Sequence, residues 1–339
     1  MSVDLKELAK SQRAKINERY NEARAYEPST DSSIKVSVEE WLELPEVMQN
    51  MLADLKGLPM GNITHVFGKS DVGKTTFLME GIVACKKQGI LPILILTEHK
   101  FSLERLKVMG VDEDELIIVT AQSIEEAYKY IEDELKDIRN GDTDHKRFFF
   151  LDSIGNAMAD SELEYDVEDH DKSMGKGAKA IKNLTKRVNS LLGKRQVRNK
   201  AGVLLLNQSY QSMPSYGPSV ETPYGGEGLI YSCILNIRLR RKGDLKMTRK
   251  KVDTIIGKEV LVEMKKNHIT SILTKTPVYV LGPGFMHSDP DALKDYKKTG
   301  LSWFEEEYAK ARAEKGLDAN GKSEEKTTTK KTNAKRGKK

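Results

Sequence analysis

A single glycine-rich stretch decides the fold of this sequence: Gly68-Lys69-Ser70-Asp71-Val72-Gly73-Lys74-Thr75. It fits the phosphate-binding pattern G-x-x-x-x-G-K-[ST], and it lies between a strand-like apolar run and a helix-like one, as that pattern requires. Glycines let backbone N–H groups close around phosphate oxygens, and the positive end of the helix dipole favours an anion. The stretch therefore predicts a phosphate site at the start of a helix.

The side chains of this stretch have predicted roles with ATP and Mg²⁺. Lys74 would reach the β and γ phosphate oxygens, and the hydroxyl of Thr75 would ligate the metal ion. The residues predicted to contact the nucleotide are Gly68, Lys69, Ser70, Asp71, Val72, Gly73, Lys74, Thr75 and Thr76.

Two carboxylates follow strand-like runs further along the chain. Asp152 ends the apolar run 148–151 and is predicted to hold Mg²⁺ through a water molecule, although an aspartate is also a common turn residue. Glu98 follows the run Leu91–Thr97, at the edge of a parallel sheet where ligands collect. It could serve as a general base for an attacking water. From its position alone, an ordinary solvated turn is the slightly favoured interpretation.

Short apolar runs alternate with helix-like stretches between residues 62 and 242, which predicts an α/β fold with a mainly parallel sheet flanked by helices. The predicted strands are 62–67, 91–97, 115–120, 147–152, 202–207 and 232–239, with a late strand at Val260–Met264. The predicted helices are Lys74–Lys87, Ser123–Arg139, Ser173–Leu192 and Ala292–Ala313. We divide the chain into an N-terminal helical extension and linker (1–34), an ATPase core with DNA-binding loops (35–284), a C-terminal helical segment (285–316) and a disordered basic tail (317–339).

The net charge of +5 is unevenly distributed. Residues 322–339 carry eight Lys or Arg and two Glu, a net charge of +6, which leaves −1 on residues 1–321. A uniformly basic nucleic-acid-binding protein is therefore excluded, and contacts with DNA must come from a local stripe or from the tail. No apolar run is long enough for a bilayer and no secretory signal is visible, which predicts a cytoplasmic protein. Cys85 and Cys233 lie in apolar runs and are expected to be buried free thiols.

Several motifs in a fixed order resemble the RecA-type recombinase family over roughly residues 40–270. They are Gly57-Leu58-Pro59-Met60-Gly61, Glu98-His99, Met109-Gly110-Val111-Asp112, Asn207-Gln208 and Gly225-Gly226, while Asp152–Asn156 and Gln122–Glu125 resemble its phage UvsX-like branch. The resemblance implies a RecA-type P-loop ATPase core that coats single-stranded DNA as an ATP-dependent filament and exchanges it with homologous duplex DNA. It implies a bacterial or phage-infected host cell, with loading and single-strand-binding proteins as candidate partners.

The resemblance also implies roles for individual residues. Glu98 matches the family's catalytic glutamate, which favours the general-base interpretation. Gln208 matches the residue that contacts the γ-phosphate and begins the second DNA-binding loop; phage-branch proteins carry His there, whereas bacterial proteins carry Gln. Lys266 matches one of two lysines that reach across the filament interface to the neighbour's ATP. His268 stands at the second position, and a solvated basic turn remains an alternative for Lys265 and His268.

Residues 209–224 are too rich in Pro and Gly for a helix or a strand, so we expect a structureless loop that contacts DNA. Its aromatic side chains could stack on bases or could fold back onto the protein surface. The residues predicted to contact DNA here are Tyr210, Met213, Tyr216, Glu221, Tyr224, Gly225 and Gly226.

The preceding segment, residues 156–172, is acidic, which is unexpected for a DNA-binding loop. It is followed by a basic stripe at helical spacing: Lys172, Lys176, Lys179, Lys182 and Lys186. Contact with DNA phosphates and an ordinary solvated helix face are equally good interpretations of this stripe, of which Lys172 and Lys176 are the leading candidates. The basic tail is expected to attract duplex DNA or an acidic partner.

Two other classes of protein share parts of this pattern. A RecA-fold hexameric helicase has the same phosphate loop and a carboxylate like Asp152. A recombinase-like accessory protein would bind DNA without exchanging strands. The matched length of the loop at 209–224 and Lys266 favour a recombinase over the helicase. Glu98 and Lys74 argue against the accessory protein, but they indicate only a capacity for ATP hydrolysis.

Overall fold

A ten-stranded mixed sheet forms the centre of the protein, in the strand order β12-β11-β10-β9-β3-β7-β6-β4-β5, with β8 paired to β7. The structure, a computed structural model, describes residues 5–20, 38–98, 100–163, 176–212, 220–249, 252–282, 284–288 and 290–300. The strands are β1 Trp41–Glu43, β2 Gly57–Pro59, β3 Ile63–Gly68, β4 Leu91–Leu96, β5 Ile117–Thr120, β6 Arg147–Asp152, β7 Ala201–Ser212, β8 Val220–Pro223, β9 Leu235–Arg249, β10 Val252–Asn267, β11 Lys275–Leu281 and β12 Gly284–His287. Strands β1 and β2 form a separate antiparallel pair.

Helices connect these strands. They are α1 Leu5–Tyr20, α2 Glu46–Met51, α3 Lys74–Gln88, α4 Leu103–Val108, α5 Ile124–Asn140, α6 Asp160–Leu163, α7 Lys176–Leu192, α8 Gly226–Ser232 and α9 Pro290–Asp295. The side chains of α1 are mostly exposed. No helix within the described ranges has both the length and the apolar character needed to span a bilayer.

The strand β6 shows why helices cover both faces of the sheet. Its apolar residues alternate between two core layers: Phe148 and Phe150 pack on the same side as α3, whereas Phe149 and Leu151 pack on the side of α5 and α7. Successive side chains of a strand point to opposite faces, so an uninterrupted apolar run needs an apolar partner on each face. This arrangement confirms the predicted α/β fold. Cys85 and Cys233 are buried free thiols, as expected.

The sheet is parallel from β9 to β5, but its other end is antiparallel. The predicted strand 232–239 begins at Leu235 and continues to Arg249, and the predicted late strand Val260–Met264 is only part of β10. Together β9 and β10 form a long two-stranded ribbon, called here the β9–β10 ribbon. The outer half of the ribbon mixes charged with apolar residues and carries no continuous apolar run. The strands predicted from apolar runs are therefore shorter than the observed ones.

The expectation of a structureless loop at 209–224 is wrong at both ends. Strand β7 runs on to Ser212 and pairs with β8 in an antiparallel hairpin, with Ser209 opposite Pro223 and Gln211 opposite Glu221. Pro223 ends the outer strand of this hairpin, where a proline leaves no ladder donor missing in the sheet interior. Of the predicted helix Ala292–Ala313, residues 292–295 belong to α9 and residues 296–300 form a short π-helix. The remainder lies outside the described residues, as do the linker, Lys172, Met213, Tyr216 and the basic tail.

Candidate nucleotide site and DNA-facing surface

Four parallel strands bring the predicted nucleotide residues to one edge of the sheet. Gly68 at the end of β3 is in register with Gln208 on β7, and Asp152 at the end of β6 is in register with Leu96 on β4. Glu98 follows β4 by two residues. Ligands collect beyond the carboxyl ends of parallel strands, so the shared edge is where a nucleotide site is expected.

The phosphate loop turns sharply into α3. Asp71 and Gly73 both have left-handed backbone angles, with φ of 64° and 95°, and α3 begins at Lys74. A Cβ atom at Gly73 would also lie 3.0 Å from the side chain of Val280, so both the turn and the packing favour glycine. The Nζ of Lys74 donates to the carbonyl oxygens of Gly68 at 2.9 Å and of Lys69 at 2.7 Å, which holds the ammonium inside the loop.

Burial in this cleft shifts the pKa values of its charged groups. Burial lowers the pKa of Lys74, and the surrounding carboxylates oppose that shift. Burial is the main cause that raises the pKa of Asp152 to about 6; the negative charge of Glu98 acts in the same direction, and the hydrogen bond from Thr75 and the positive charge of Lys74 act against it. An ionised Asp152 at neutral pH therefore favours a cation beside it.

Thr75 and Asp152 form the candidate Mg²⁺ site. The Oγ1 of Thr75 donates to Oδ2 of Asp152 at 3.2 Å, so two hard oxygen donors converge on one point. No group of three His, Cys, Asp or Glu among the described residues could hold a metal ion without help. Mg²⁺ usually keeps water and phosphate ligands and needs only one or two protein groups, so this donor set fits a nucleotide-bound ion.

Glu98 is held by residues that follow Asp152. Ser153 donates its hydroxyl to Oε1 of Glu98 at 3.0 Å, and the side-chain amide of Asn156 donates to the same oxygen. The side chain of Glu98 is only 21% exposed, with Lys100 at 3.9 Å from its second oxygen. The solvated-turn alternative does not describe this carboxylate. Ser153 and Asn156 belong to a stretch quoted above only for its resemblance, so their position around Glu98 was missed.

A cleft of about 310 Å³ joins these groups, and Gln208 lines it together with Lys74, Thr75, Glu98 and Asp152. Lys266 does not line this cleft within its own chain. Its Nζ donates to three carbonyl oxygens at the end of α8: Ile230 at 2.9 Å, Tyr231 at 3.0 Å and Cys233 at 2.6 Å. Within one chain Lys266 therefore caps a helix, and its action on a neighbouring nucleotide stays a prediction.

The β7–β8 hairpin continues directly from Gln208 away from the cleft. Tyr210 on this hairpin is 49% exposed, as a base-stacking residue must be. Glu221 is turned inward instead: it accepts from the Ser209 hydroxyl at 2.5 Å and lies 3.9 Å from the guanidinium of Arg238. Asn207 donates to the carbonyl oxygen of Tyr224 at 2.7 Å, which ties the base of the hairpin to the sheet.

The basic stripe of α7 lies beside the start of α8. Lys179, Lys182 and Lys186 are exposed, and Lys176 begins the helix half-buried. Lys182 covers Gly228 closely, since a Cβ atom there would lie 2.5 Å from the Cγ of this lysine. Gly225 and Gly226, with φ of 89° and 69°, form the left-handed turn into α8 that only glycine adopts readily. The lysines and the glycine turn thus share one surface with the hairpin base.

Comparison with known proteins shows the family of this chain. The family model of the RecA N-terminal domain matches residues 32–284. Protein RecA of Ureaplasma parvum serovar 3 is 26% identical over 261 residues, covering 75% of this chain and 73% of the relative. Protein RecA of Fusobacterium nucleatum is 29% identical over 259 residues, covering 73% and 63%, and that of a Sulfurovum species is 28% identical over 221 residues, covering 65% and 59%. With the family model matching most of its length around one nucleotide cleft, the chain belongs to the RecA family.

Proposed function

We propose that this chain is a DNA-dependent ATPase that forms filaments on single-stranded DNA and exchanges the bound strand with homologous duplex DNA. The observation that carries the proposal is the continuity of β7. This one strand presents Gln208 to the nucleotide cleft and Tyr210 to solvent two residues later. A group that contacts the nucleotide on the same strand as a DNA-facing side chain can report one ligand to the other.

In this function, Lys74 binds the terminal phosphates of ATP, and Thr75 and Asp152 hold Mg²⁺ directly and through water. The metal ion would supply positive charge to the phosphate oxygens. Glu98 accepts the proton of the attacking water, oriented by the hydrogen bonds from Ser153 and Asn156. Because both donors bind Oε1, the second carboxylate oxygen is the one directed to the water.

The nucleoside part of ATP would occupy a second cleft of about 460 Å³ that adjoins the phosphate loop. This cleft shares Asp71 with the first one and is lined by Gly73, Thr76 and Arg105. The guanidinium of Arg105 is fixed by Thr76 Oγ1 at 2.9 Å and by the carbonyl oxygens of Leu281 at 3.2 Å and Gly282 at 3.1 Å. A planar cation held this way offers a stacking surface to a base.

DNA would contact the surface formed by Tyr210, the Gly225–Gly226 turn and the lysines of α7. Aromatic stacking is tolerant of sequence, and lysines bind phosphates regardless of the base, so this surface suits single strands of any sequence. The inward position of Glu221 supports a role in holding the hairpin rather than in touching DNA. Met213, Tyr216 and Lys172 keep their proposed role as DNA contacts from the sequence alone.

The filament, the phage UvsX-like branch and the trans-acting role of Lys266 belong to the proposal as well. The exposed α1 would dock on a neighbouring subunit, and each copy would place ATP at a subunit interface. Loading and single-strand-binding proteins would be the partners that control assembly.

Strand exchange between a single strand and a homologous duplex tests the proposal. We expect wild-type chain with ATP and Mg²⁺ to produce joint molecules and electron micrographs to show open filaments. Closed rings would instead identify a helicase, and filaments without joint molecules would identify an accessory protein. Glu98→Gln should keep ATP-dependent DNA binding and lose turnover, whereas normal turnover would remove Glu98 from its role.

A further inference from the structure

The phosphate loop carries a negatively charged side chain, that of Asp71, where it should weaken the binding of a nucleotide. Asp71 lines both clefts, its side chain is 67% exposed, and its charge acts on Lys74. A carboxylate a few ångströms from a triphosphate repels it. Asp71 also adopts a left-handed backbone with φ of 64°, which is uncommon outside glycine. Both properties call for something that stabilises Asp71 in this position.

Two cations of the β9–β10 ribbon meet Asp71. Lys258 on β10 forms an ion pair with Oδ1 and also donates to the backbone carbonyl oxygen of Asp71 at 3.1 Å. Arg241 on β9 lies 3.6 Å from Oδ2, and it is itself paired with Asp244. Lys258 and Asp244 stand opposite each other in the ribbon, so the cluster spans both of its strands.

The ribbon is firmly placed relative to the phosphate loop. Strand β9 is hydrogen-bonded in parallel to β3, the strand that ends in the loop. Gly68 packs against the backbone of β9, where a Cβ atom would lie 2.3 Å from the carbonyl oxygen of Leu239. The side chains of Lys258 and Arg241 therefore start from a rigid base.

The hydrogen bond that Lys258 donates to the carbonyl oxygen of Asp71 orients the whole peptide unit between Asp71 and Val72. The carbonyl of Asp71 and the N–H of Val72 belong to one planar peptide unit and point in opposite directions. A lysine that holds the carbonyl oxygen on its own side directs the Val72 N–H to the other side. Backbone N–H groups are the phosphate ligands of such a loop, so their direction determines affinity.

We propose that Lys258 and Arg241 are positioning residues for nucleotide binding, and that Asp71 is the anchor through which the β9–β10 ribbon holds the phosphate loop. The carboxylates of Asp71 and Asp244 balance the charges of Lys258 and Arg241, so the repulsion of the nucleotide by Asp71 is offset while the left-handed turn is kept. This inference rests on the proposed ATP-binding function. The inference gives the β9–β10 ribbon a role in nucleotide binding that the local sequence of the ribbon does not indicate.

Equilibrium titration with a fluorescent ATP analogue and Mg²⁺ tests the clamp, using wild type, Lys258→Met, Asp71→Asn and the double variant. The matched control is Lys242→Met, which removes a positive charge from the same ribbon, where Lys242 pairs with Glu259 at 2.8 Å. We expect Lys258→Met to weaken binding about three- to tenfold, the range for an ion pair reinforced by a hydrogen bond. Lys242→Met should change it less than twofold, and Lys258→Arg should restore most of the affinity.

The double variant separates a clamp from simple attraction between Lys258 and the nucleotide. With a clamp, Lys258→Met should cost much less in the Asp71→Asn background than in wild type, because the anchor is already lost. An equal cost in both backgrounds, or equal affinities for Lys258→Met and Lys242→Met, would overturn the inference. Thermal unfolding of each variant without nucleotide checks that the fold is kept. A wild-type chain that binds no nucleotide would overturn the proposed function itself.

Discussion

Replacing Gly155 by alanine should disturb the nucleotide site through packing alone. Gly155 lies in the short turn after β6, and a Cβ atom there would be 2.9 Å from both the Cβ and the backbone nitrogen of Gln208. Ordinary carbon contacts are about 3.5 Å, so either the turn or β7 must move by about 0.6 Å. The neighbour is backbone, which cannot rotate away as a flexible side chain can.

The size of the effect follows from overpacking. Extra methyl groups in well-packed regions cost about 1–3 kcal/mol, so we expect the free energy of unfolding to fall by that amount in urea titrations. Because the displaced residue is Gln208, stimulation of the ATPase by single-stranded DNA should fall more than basal turnover. Gly193→Ala is the control, since its nearest atom beyond the neighbouring residues is 3.6 Å away. If Gly155→Ala matches this control in both stability and DNA stimulation, the close contact between the turn and β7 affects neither the free energy of unfolding nor the response to DNA.

Five further predictions address the separate parts of the site. Lys74→Ala should abolish nucleotide-dependent DNA binding in fluorescence anisotropy, because the variant loses the ammonium group that would bind the terminal phosphates; retained ATP dependence would contradict this. Mg²⁺-dependent ATP binding should weaken as pH falls through about 6, where Asp152 gains a proton, and Asp152→Asn should remove that pH dependence. The same raised pKa means that the nucleotide-free protein loses stability as pH rises from about 4 to about 6, so Asp152→Asn should raise its melting temperature at pH 7; an unchanged value would argue against a buried charge. Tyr210→Ala should weaken single-strand binding by about 1–3 kcal/mol, whereas Tyr130→Ala, which truncates an exposed tyrosine on α5, should not. Lys182→Met should lower the salt dependence of DNA binding by about one counterion, and equal slopes for it and for Lys129→Met on α5 would remove α7 from the DNA surface.

The convergence of the nucleotide residues could be predicted because it depends on chain topology. Parallel strands with the same direction must end at the same edge, so Gly68, Asp152 and Glu98 were bound to meet once the alternation of strands and helices was recognised. The role proposed for Glu98 could not be predicted from its position alone, because a carboxylate that follows a strand can be an ordinary turn residue or a general base.

Long-range side-chain contacts could not be predicted in the same way. Lys258 is 187 residues from Asp71, and nothing in its local pattern marks it as a partner of the phosphate loop. The β7–β8 hairpin was missed because Pro and Gly were taken as signs of a loop, whereas Pro223 ends an edge strand. The inward position of Glu221 depends on Arg238, which was not identified from sequence because its two partners, Glu221 and Glu263, lie on two other strands.

Because β3 and β7 lie in the middle of the sheet, we expect different parts of the protein to open on different timescales. Amide protons of β3 and of residues 203–205 of β7, which have hydrogen-bonded strands on both sides, should exchange with solvent only in the rarest openings of the molecule. Strand β8 is bonded on one side only and should exchange much sooner. The groups proposed to bind the nucleotide thus follow the slowest-opening strands of the protein, while the hairpin proposed to contact DNA can open and close many times without disturbing them.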